Sequence, residues 1–546
     1  MTILDRLESV VAENPNGIFC RFVKGGSERS ISWKQLWARS QVYADAFERQ
    51  GVARGSIVII MLPHSDHLYY SFIGAMMYGA IPSFMPYPTP KQDLEMFWEQ
   101  HRILFERTGL GALLTYSEIA GQVGDIGSAK LMTYEGLDVT SPVDFRRATP
   151  APTDVALLQH SSGTTGVKKG VMLTHGAILA QADAYGPAIA LDRSATIASW
   201  LPLYHDMGLI ACFILPIVIG VPIVHLDPFE WVAAPLSLLD KVEQHRGTHV
   251  WLPNFAFNHL AMSRRGTKTW DLSSIRVVSN CSEPCKIESM EKFSNTFADC
   301  GLPEAAAQVC YAMAETVFAA SQTPIDRPLR SYALSRSQLS ENIVAAPIED
   351  SDRQLVASCG RTIPGMQARI INDDGAAVGS DAVGEICFTG PSLYAGYHRL
   401  PDVTKLKFRD GWHHTGDLGF MHNGEVYVVG RRDDLLIVRG RNYYAHDIEA
   451  SMSATTGVHP GRVISFALHN DAIGTAEVIC LAELKQGAEG AAVRRELRAN
   501  VERDVGVVVC KVVFVPPGSL IKTTSGKISR KENAARYVAG IEAGTR

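Results

Sequence analysis

Short runs of β-branched and other apolar residues alternate with stretches of helical periodicity along the first half of the chain. The apolar runs predict strands at Ser56–Leu62, Ala112–Thr115 and Val155–Gln159, and the pattern elsewhere predicts helices at Leu68–Tyr78 and Ala177–Tyr185. Strands that alternate with helices are typical of parallel sheets with crossover helices. The pattern therefore predicts an α/β fold for the body of the chain.

After Gly430 the pattern changes to a shorter mixture of strands and helices. In chain order it predicts strand Leu435–Val438, helix His446–Ala454, strands Arg462–Leu468 and Glu477–Leu484, helix Ala491–Val505 and strand Lys511–Val515. A stretch of this length is sufficient for a small separate domain. We expect one domain at 1–430 and an α+β domain at 431–546, with a hinge at Arg431–Asp434. The weakly patterned region Gln322–Ser358 is expected to form loops or an inserted subdomain.

Two apolar segments bear on membrane insertion and export. Leu209–Leu226 is the most apolar stretch, but Pro216, Gly220 and Pro222 interrupt it, so we expect a buried helix followed by a buried strand. Met1–Val11 places its apolar residues on one helical face and lacks the apolar block of a signal peptide. We therefore expect no integral membrane segment and a cytoplasmic location.

Composition and charge exclude several classes of protein. Hydrophobic residues make up 46% and charged residues 20% of the 546 residues, which excludes a wholly disordered or supercharged chain. The 52 Lys and Arg against 57 Asp and Glu leave a net charge of −5, so nucleic acid is not an expected partner. The 10 cysteines form no C-x-x-C pair and are expected to be buried, reduced thiols.

A loop rich in small hydroxyl residues and glycine follows the predicted strand at Val155–Gln159. From residue 161 to 170 it has the sequence SSGTTGVKKG. Hydroxyls, cations and glycines that expose backbone N–H groups suit phosphate oxygens. Gly163 and Gly166 are too close together for a P-loop, and Lys169 is followed by Gly170, so a P-loop nucleotidase is disfavoured. Alone, the loop is equally compatible with a flexible surface turn.

Five further blocks follow this loop. They are LPLYHDMG at 201–208, YAMAET at 311–316, WHHTGD at 412–417, GRRDD at 430–434 and TSGK at 524–527. In this order, the blocks resemble the ATP-dependent adenylate-forming (AMP-binding, acyl-CoA synthetase-like) superfamily over essentially the whole chain. Within that superfamily the chain is most similar to fatty acyl-AMP ligases in the segments LYHDMGLI at 203–210, PNFA at 253–256, SEP at 282–284, SCGR at 358–361 and IVRGRNYY at 437–444.

The resemblance implies a fold and a reaction. The fold is a large N-terminal domain of stacked α/β sheets with a small barrel-like part, followed by a small mobile α+β domain. The reaction is attack of a carboxylate on the α-phosphorus of ATP, which forms an acyl-adenylate and expels pyrophosphate. Such a site must offset phosphate charge and orient two anions in line.

By position, the resemblance assigns the phosphate and metal contacts. Thr164, Thr165 and Lys169 are expected to hold the β- and γ-phosphates of ATP. Glu315, together with Thr165, is expected to hold Mg²⁺, a hard cation that prefers oxygen ligands. The rest of the nucleotide contacts are expected from Ser162, Gly163, Gly166, Ser282, Glu283, Pro284, Ala312, Met313 and Ala314.

The remaining assignments concern adenosine and catalysis. Tyr311 offers an aromatic face for adenine, Asp417 can accept hydrogen bonds from the ribose hydroxyls, and Arg431 can reach ribose or phosphate. The resemblance implies that Lys527 swings into the cleft and neutralises the charge that forms between the carboxylate and the α-phosphate. His205 either gates the acyl pocket or is structural.

The acid and its acceptor are less closely specified. Phe213, Trp251, Phe255 and Phe257 suggest an apolar pocket, which favours a fatty or aromatic acid over an amino acid. The resemblance implies transfer to the phosphopantetheine arm of an acyl carrier protein, with Leu329–Asp352 as the insertion that discourages coenzyme A. An acyl-CoA synthetase is the first alternative, and a nucleotide-bound acyl-binding protein without turnover is the second.

Overall fold

The structure is a computed structural model that describes residues 1–88, 94–139, 141–160, 168–379, 382–439, 441–470, 475–522 and 528–542. In chain order the strands are β1 Ile18–Lys24, β2 Ser27–Ser32, β3 Ile57–Ile60, β4 Ile81–Phe84, β5 Ala112–Thr115, β6 Lys130–Thr133, β7 Val155–His160, β8 Gly170–Thr174, β9 Ile197–Ser199, β10 Ile223–Leu226, β11 His249–Leu252, β12 Val277–Asn280, β13 Ala307–Ala312, β14 Ala319–Gln322, β15 Ser331–Ser335, β16 Arg353–Ala357, β17 Arg361–Thr362, β18 Gln367–Ile371, β19 Gly384–Thr389, β20 Phe408–Arg409, β21 Trp412–His422, β22 Glu425–Arg431, β23 Leu435–Val438, β24 Arg441–Tyr444, β25 Val458–Asn470, β26 Thr475–Leu484 and β27 Val509–Val515.

The α-helices are α1 Ile3–Glu13, α2 Trp33–Arg49, α3 His67–Tyr78, α4 Leu94–Thr108, α5 Ser117–Ala120, α6 His175–Ala188, α7 Leu215–Ile219, α8 Pro228–Ala233, α9 Ser237–His245, α10 Asn254–Ser263, α11 Ile287–Phe297, α12 Arg336–Leu339, α13 Pro401–Lys407, α14 Ala445–Ala454, α15 Gly490–Val505 and α16 Arg530–Glu542. A π-helical segment, Met207–Ile214, precedes α7. Single 3₁₀ turns occur at Tyr134–Gly136, Ala298–Cys300, Glu304–Ala306, Ala314–Thr316, Asp350–Asp352 and Arg432–Asp434.

Two largely parallel sheets form the body of the molecule. Within the described residues, the larger sheet has nine strands in the order β17-β14-β13-β12-β11-β9-β10-β1-β2, and the run from β13 to β1 is parallel. The smaller sheet, β4-β3-β5-β6, is parallel throughout. One apolar core contains residues of both sheets, including Ile60 on β3 and Val224 on β10. The α/β class predicted from the sequence is confirmed.

The chain then forms smaller antiparallel units. Strands β18, β19, β20, β21 and β22 make an antiparallel sheet, and β15 pairs with β16 as a separate hairpin. The three-stranded sheet β25-β26-β27 packs with α14 and α15 around its own apolar core, which includes Ile448, Val478 and Leu497. The expected division at 430/431 remains a prediction, although this separate core agrees with it.

Most predicted elements are found close to their expected bounds. β5 and β23 match the predictions, whereas β25 begins before Arg462 and α6 begins before Ala177. Leu209–Leu226 forms buried helix and then the buried strand β10, as expected. Among the described residues no helix is long and apolar enough to cross a membrane. Gln322–Ser358 contains β15, α12 and β16, which agrees with the second of its two expected forms, an inserted subdomain.

Candidate active site

Three of the predicted segments, at 201–208, 282–284 and 311–316, lie at one edge of the large sheet. Asn280 ends β12, Tyr311 is close to the end of β13, and the segment Leu201–His205 comes shortly after β9. These three strands run in the same direction, so their carboxyl ends share an edge. Ligands of open α/β sheets bind in the crevice outside such an edge. The topology therefore places the blocks where a ligand is expected.

Asp417 joins Tyr311 and Arg431 in one cluster. The Tyr311 hydroxyl donates to Oδ2 of Asp417, and Nε of Arg431 donates to its Oδ1 at 2.8 Å. Asp417 on β21 and Arg431 on β22 are cross-strand partners, and the strand pairing fixes their relative position. Burial, followed by the Asp417 charge, raises the pKa of Tyr311 well above its usual range, and the same carboxylate raises the pKa of Arg431. The structure thus brings together three residues predicted for adenosine.

Tyr311 is more enclosed than an open adenine platform. Only 9% of the residue is exposed, and its ring lies 5.5 Å from the ring of Phe388. Its hydroxyl is committed to Asp417. Each carboxylate oxygen of Asp417 retains acceptor capacity, because an ionised carboxylate offers about four lone-pair sites. The cluster can therefore receive a hydroxyl pair without losing its internal bonds.

Glu315 and Lys169 both contact Tyr397. The Tyr397 hydroxyl donates to Oε1 of Glu315 at 2.7 Å, and Nζ of Lys169 lies 5.2 Å from the centre of the Tyr397 ring. The backbone N–H of Tyr394 donates to the Glu315 carbonyl at 2.9 Å. Burial, then the Glu315 charge, raises the pKa of Tyr397. A predicted phosphate ligand and the predicted metal ligand are therefore neighbours.

Two residues near Glu315 each have one buried polar atom that lacks a hydrogen bond of normal geometry in the described residues, although the Tyr394 hydroxyl lies close enough to that of Tyr397 for the two to interact. These are Tyr394 and His413, whose Oη and Nδ1 atoms are buried. Their rings lie 5.2 Å apart in an edge-to-face contact. Burial lowers the pKa of His413, although the Glu315 carboxylate opposes this. Sequence reasoning missed these two residues and Tyr397: His413 stands inside the WHHTGD block but received no role, and Tyr394 and Tyr397 lie outside every block.

His205 lies at the start of the π-helical segment. Its Nδ1 is 2.6 Å from Oδ1 of Asp206, and that oxygen accepts a hydrogen bond from the backbone N–H of Met207 at 2.8 Å. At Gly208 a Cβ atom would lie 2.2 Å from the Pro202 carbonyl oxygen, so this close turn requires glycine. The turn holds His205 partly exposed at the carboxyl edge, a position compatible with either predicted role.

The segment Ser282–Pro284 follows β12. Ser282 has a left-handed backbone, with φ of 68°, and Oε2 of Glu283 accepts from the backbone N–H of Phe255 at 3.3 Å. Pro284 is exposed. Ala312 and Met313 are half-buried at the end of β13, and Ala314 is buried in the turn that carries Glu315.

Several predicted residues lie outside the described part of the chain. They are Ser162, Gly163, Thr164, Thr165, Gly166 and Lys527. The residues that flank the first group are described: the pKa of His160 falls to about 3 and that of Lys168 to about 8, in both cases because burial disfavours the charged form. A cation and an imidazole thus border the predicted phosphate loop.

The apolar pocket expected around four aromatic residues is not formed by them. Phe213, Trp251 and Phe257 are fully buried in the core, and Phe255 is 47% exposed. Phe213 packs against Phe19 and other core rings, because the π-helical segment is buried along its whole length. An apolar cavity lies instead between the carboxyl ends of β3 and β4 and those of β9 and β10.

The described residues fit ATP and Mg²⁺ in part. Glu315 offers one carboxylate oxygen of the type that Mg²⁺ prefers, and the buried Tyr394 hydroxyl near it could donate to an anionic oxygen. Within the described residues no group of three His, Cys, Asp or Glu side chains is arranged to hold a metal. Mg²⁺ usually binds through one or two carboxylates together with phosphates and water. Glu315 alone is therefore compatible with a magnesium nucleotide.

Comparison with known proteins agrees with this geometry. The family model described as AMP-binding enzyme matches residues 7–398, which is most of the chain. The chain belongs to the AMP-binding enzyme family. The match ends just beyond Tyr397. It therefore includes Glu315, its hydrogen-bond partner Tyr397, and the strands of the large sheet whose carboxyl ends border the site.

Relatives of this AMP-binding enzyme include ligases of fatty acids. The long-chain-fatty-acid–AMP ligase FadD26 of Mycobacterium marinum is 30% identical, over 94% of this chain and 92% of that protein. The medium-chain-fatty-acid–[acyl-carrier-protein] ligase JamA of Moorena producens is 28% identical, over 95% and 92%. A solved structure from a study of fatty acyl-adenylate ligases of E. coli and L. pneumophila has a TM-score of 0.90 at 25% identity and covers 100% of this chain and 98% of its own.

Proposed function

We propose that this AMP-binding enzyme activates a carboxylic acid, expected to be a fatty acid, with ATP. The product is an acyl-adenylate and pyrophosphate, and the acyl group is then transferred to the phosphopantetheine thiol of an acyl carrier protein. The observation that carries the proposal is the pair of charged residues that contact Tyr397, Lys169 at its ring and Glu315 at its hydroxyl. Lys169 supplies a cation for phosphate, and Glu315 supplies an oxygen ligand for a magnesium nucleotide.

The arrangement suits adenylation because most of the catalytic work is electrostatic. The carboxylate and the α-phosphate are both anionic, so the site must hold them in line and offset their charge. The Asp417–Arg431 pair can hold the ribose at one end, with Lys169 near the phosphates at the other. Lys527 stands in the TSGK block and is therefore assigned the role of neutralising the negative charge that forms at the reacting oxygens. Bound Mg²⁺ would neutralise phosphate charge beside Glu315.

The proposed acceptor is a carrier protein, and the β15–α12–β16 hairpin supports this choice. Its apolar residues Leu334, Leu339 and Val344 share one buried cluster with Tyr444 and with residues of the β18–β22 sheet. The Ser340 carbonyl accepts from the backbone N–H of Asn442 at 3.1 Å. The hairpin therefore ties the region after the proposed hinge to the larger part of the molecule. Restricted rotation there would limit the surface offered to free coenzyme A.

Free thiols support the proposed cytoplasmic location. All ten cysteines are unpaired, and burial raises the pKa of several of them, for example of Cys20 to about 12. Protonated, buried thiols are the state expected in a reducing compartment.

Acid-dependent exchange of labelled pyrophosphate into ATP tests the first half-reaction. We expect exchange with fatty acids, and none without acid. A panel of fatty, aromatic and amino acids identifies the substrate class in the same assay. Absence of exchange with every acid would leave the non-catalytic binding protein as the better account.

The acceptor is tested by offering coenzyme A and a phosphopantetheinylated carrier protein side by side. We expect the carrier to be acylated faster, whereas rapid formation of acyl-CoA would favour the alternative acyl-CoA synthetase. Leu339→Glu places a charge in the hairpin cluster and is expected to raise acyl-CoA formation relative to carrier acylation. Leu406→Glu, at a leucine that is 65% exposed, is the matched control and should leave that ratio unchanged.

A further inference from the structure

The 3₁₀ turn Arg432–Asp434 at the predicted hinge is held differently at its two ends. Immediately before it, Nε of Arg431 donates to Asp417 on β21 at 2.8 Å. At its first residue, Nη1 of Arg432 donates to Asp373, just beyond β18, at 2.6 Å. Both carboxylates belong to the part of the chain before the predicted hinge. The start of the turn is therefore tied to the larger part of the molecule.

The end of the turn is tied to the C-terminal part of the chain instead. Oδ1 of Asp434 accepts a hydrogen bond from Nη1 of Arg530, the first residue of α16. Asp433 lies between the two attachments and is exposed. A rotation of the chain at Asp433 would leave Asp434 and Arg530 together, because their bond lies wholly on one side of the pivot.

Arg530 makes further hydrogen bonds to α14 and β25. Its Nη2 donates to both carboxylate oxygens of Glu449 at 2.8 and 3.0 Å, and its Nε donates to the Ser465 carbonyl oxygen at 3.0 Å. The backbone N–H of Ser465 donates to Oε1 of Glu449 at 2.9 Å, which closes the network. All three guanidinium nitrogens are thus engaged. A planar guanidinium with a rigid fork of donors holds several acceptors in one geometry, which a lysine does not.

One cation serves two carboxylates in this network. The side chain of Arg530 is 21% exposed, and those of Asp434 and Glu449 are each 19% exposed. Burial raises the pKa of the Glu449 carboxyl, although the charge of Arg530 opposes that shift. The desolvation of a buried ion pair largely cancels its attraction, so such a pair contributes little net stability. The network is better explained by the geometry that it fixes, namely the position of Arg530 relative to the hinge turn.

Arg530 is close to Lys527 along the chain and belongs to the same local unit. Residues 523–527 lie outside the described part of the chain, but the residues on either side of them, Lys522 and Ile528, pair as an antiparallel bridge. The bridge closes this segment at its base, just before Arg530. The position of the base therefore sets where the segment with Lys527 begins and ends.

Asn533 attaches this base to α16. Its side-chain amide donates to the carbonyl oxygens of Ile521 and Ser529 at 2.9 and 2.7 Å, and its Oδ1 accepts from the backbone N–H of Ile521 at 3.0 Å. The backbone N–H of Ser529 also donates to the Ile521 carbonyl at 2.9 Å. The base and the first turn of α16 thus form one rigid unit, and Arg530 anchors that unit to the hinge turn and to α14.

We infer that Arg530 is a positioning residue for Lys527: it fixes the base of the Lys527 segment to the hinge turn and to α14, so that the ammonium group is held where the adenylation step needs it. The inference rests on the proposed adenylation activity and on the role proposed there for Lys527. Arg530 needs no contact with ATP or the acid, because it acts through Lys527. Its loss should therefore slow adenylation and leave substrate binding nearly unchanged.

The test measures the two half-reactions separately in the full-length Arg530→Met variant. Pyrophosphate exchange reports adenylation, and acyl transfer from chemically prepared acyl-adenylate to coenzyme A or the carrier protein reports the second step, in which Lys527 has no assigned role. Because a misplacement of about 1 Å can slow a reaction about 100-fold, we expect kcat for exchange to fall by roughly that factor. The KM values for ATP and acid, and the rate of transfer, should each change by less than about threefold.

Three further variants assign the effect to the network. Arg530→Lys keeps the charge without the fork of donors, so it should restore part of the lost exchange. Glu449→Gln keeps the shape of the side chain without its charge and should lower kcat for exchange in the same direction. Arg536→Met is the matched control on the same helix: its Nη1 donates to the Ser519 carbonyl at 3.0 Å at the surface, so exchange should stay within about twofold of the wild type. Thermal unfolding of each variant identifies any that fail to fold.

The outcomes separate this inference from the proposed function. If the wild-type enzyme shows no exchange with any acid, the proposed adenylation fails and the inference falls with it. If the wild type is active and folded Arg530→Met exchanges at the wild-type kcat, the inference alone is overturned. An equal loss of exchange and transfer, or a rise in KM that accounts for the whole defect, also overturns it, because a general structural fault would act in that way. Should Arg530→Met fail to fold, the same criteria apply to Glu449→Gln.

Discussion

Tyr397→Phe removes one oxygen atom from the centre of the proposed site. In the structure that hydroxyl donates to Oε1 of Glu315 at 2.7 Å, and the ring faces Lys169. Phenylalanine keeps the ring, so the lysine retains its aromatic contact while Glu315 loses one donor. A hydrogen bond to a charged group contributes about 1.5–3 kcal/mol, which corresponds to roughly 10- to 100-fold. We expect kcat/KM for magnesium ATP to fall by that factor, because Glu315 is no longer held in place.

The assay is pyrophosphate exchange over a titration of Mg²⁺. The defect should be largest at low Mg²⁺ and should shrink as the metal saturates, since a misplaced ligand weakens metal binding. Tyr444→Phe is the matched control: its hydroxyl is buried without a partner among the described residues, so its removal should change exchange by less than about twofold. Wild-type exchange by Tyr397→Phe at every Mg²⁺ concentration would refute the assignment of Glu315 as the metal ligand.

Lys527→Ala is expected to abolish adenylation while ATP still binds, as measured by pyrophosphate exchange and by calorimetry; normal exchange would contradict its catalytic assignment. Asp417→Asn removes the charge that pairs with Arg431 at 2.8 Å, so KM for ATP should rise roughly 10- to 100-fold, and an unchanged KM would argue against ribose binding there. Burial lowers the pKa of His225 and of His249 from 6.5 to about 4. Between these two pH values both histidines are therefore protonated in the unfolded chain and neutral in the folded chain. The free energy of unfolding should therefore decrease as the pH falls from about 6.5 to about 4, by up to about 3 kcal/mol for each histidine, and pH-independent melting over that range would count against it.

Local patterns were sufficient to predict those elements of the fold whose bounds depend on their own sequence. β5 and β23 are short apolar runs with breakers on both sides, and they match their predicted bounds. β25 extends beyond its predicted start because pairing with β26 continues across an irregular register between Val458 and Val463, a long-range contact that periodicity does not contain. The β15–β16 hairpin was missed for a similar reason, since its apolar face is completed by Tyr444, which lies far along the chain.

The candidate site was predictable only where residues stand in recognisable blocks. Glu315, Asp417 and Arg431 were found in this way, and the structure places each in a charged or polar cluster. Tyr397 was missed because its role depends on one hydroxyl reaching Glu315 across 82 residues, with no local pattern to mark it. The aromatic pocket was expected in the wrong place, because an apolar ring has the same sequence signature in a core as in a cavity wall. Phe213 and Trp251 belong to the core.

The central claim, attack of a carboxylate oxygen on the α-phosphorus, is tested most directly by following that oxygen atom. An acid labelled with ¹⁸O in its carboxylate is incubated with ATP, enzyme and the acyl acceptor. The mass of the released AMP is then measured by mass spectrometry. The account predicts that each AMP carries one labelled oxygen, because the bond formed in the first step is broken on the carbonyl side in the second. AMP without label, or ADP as the product, would contradict it.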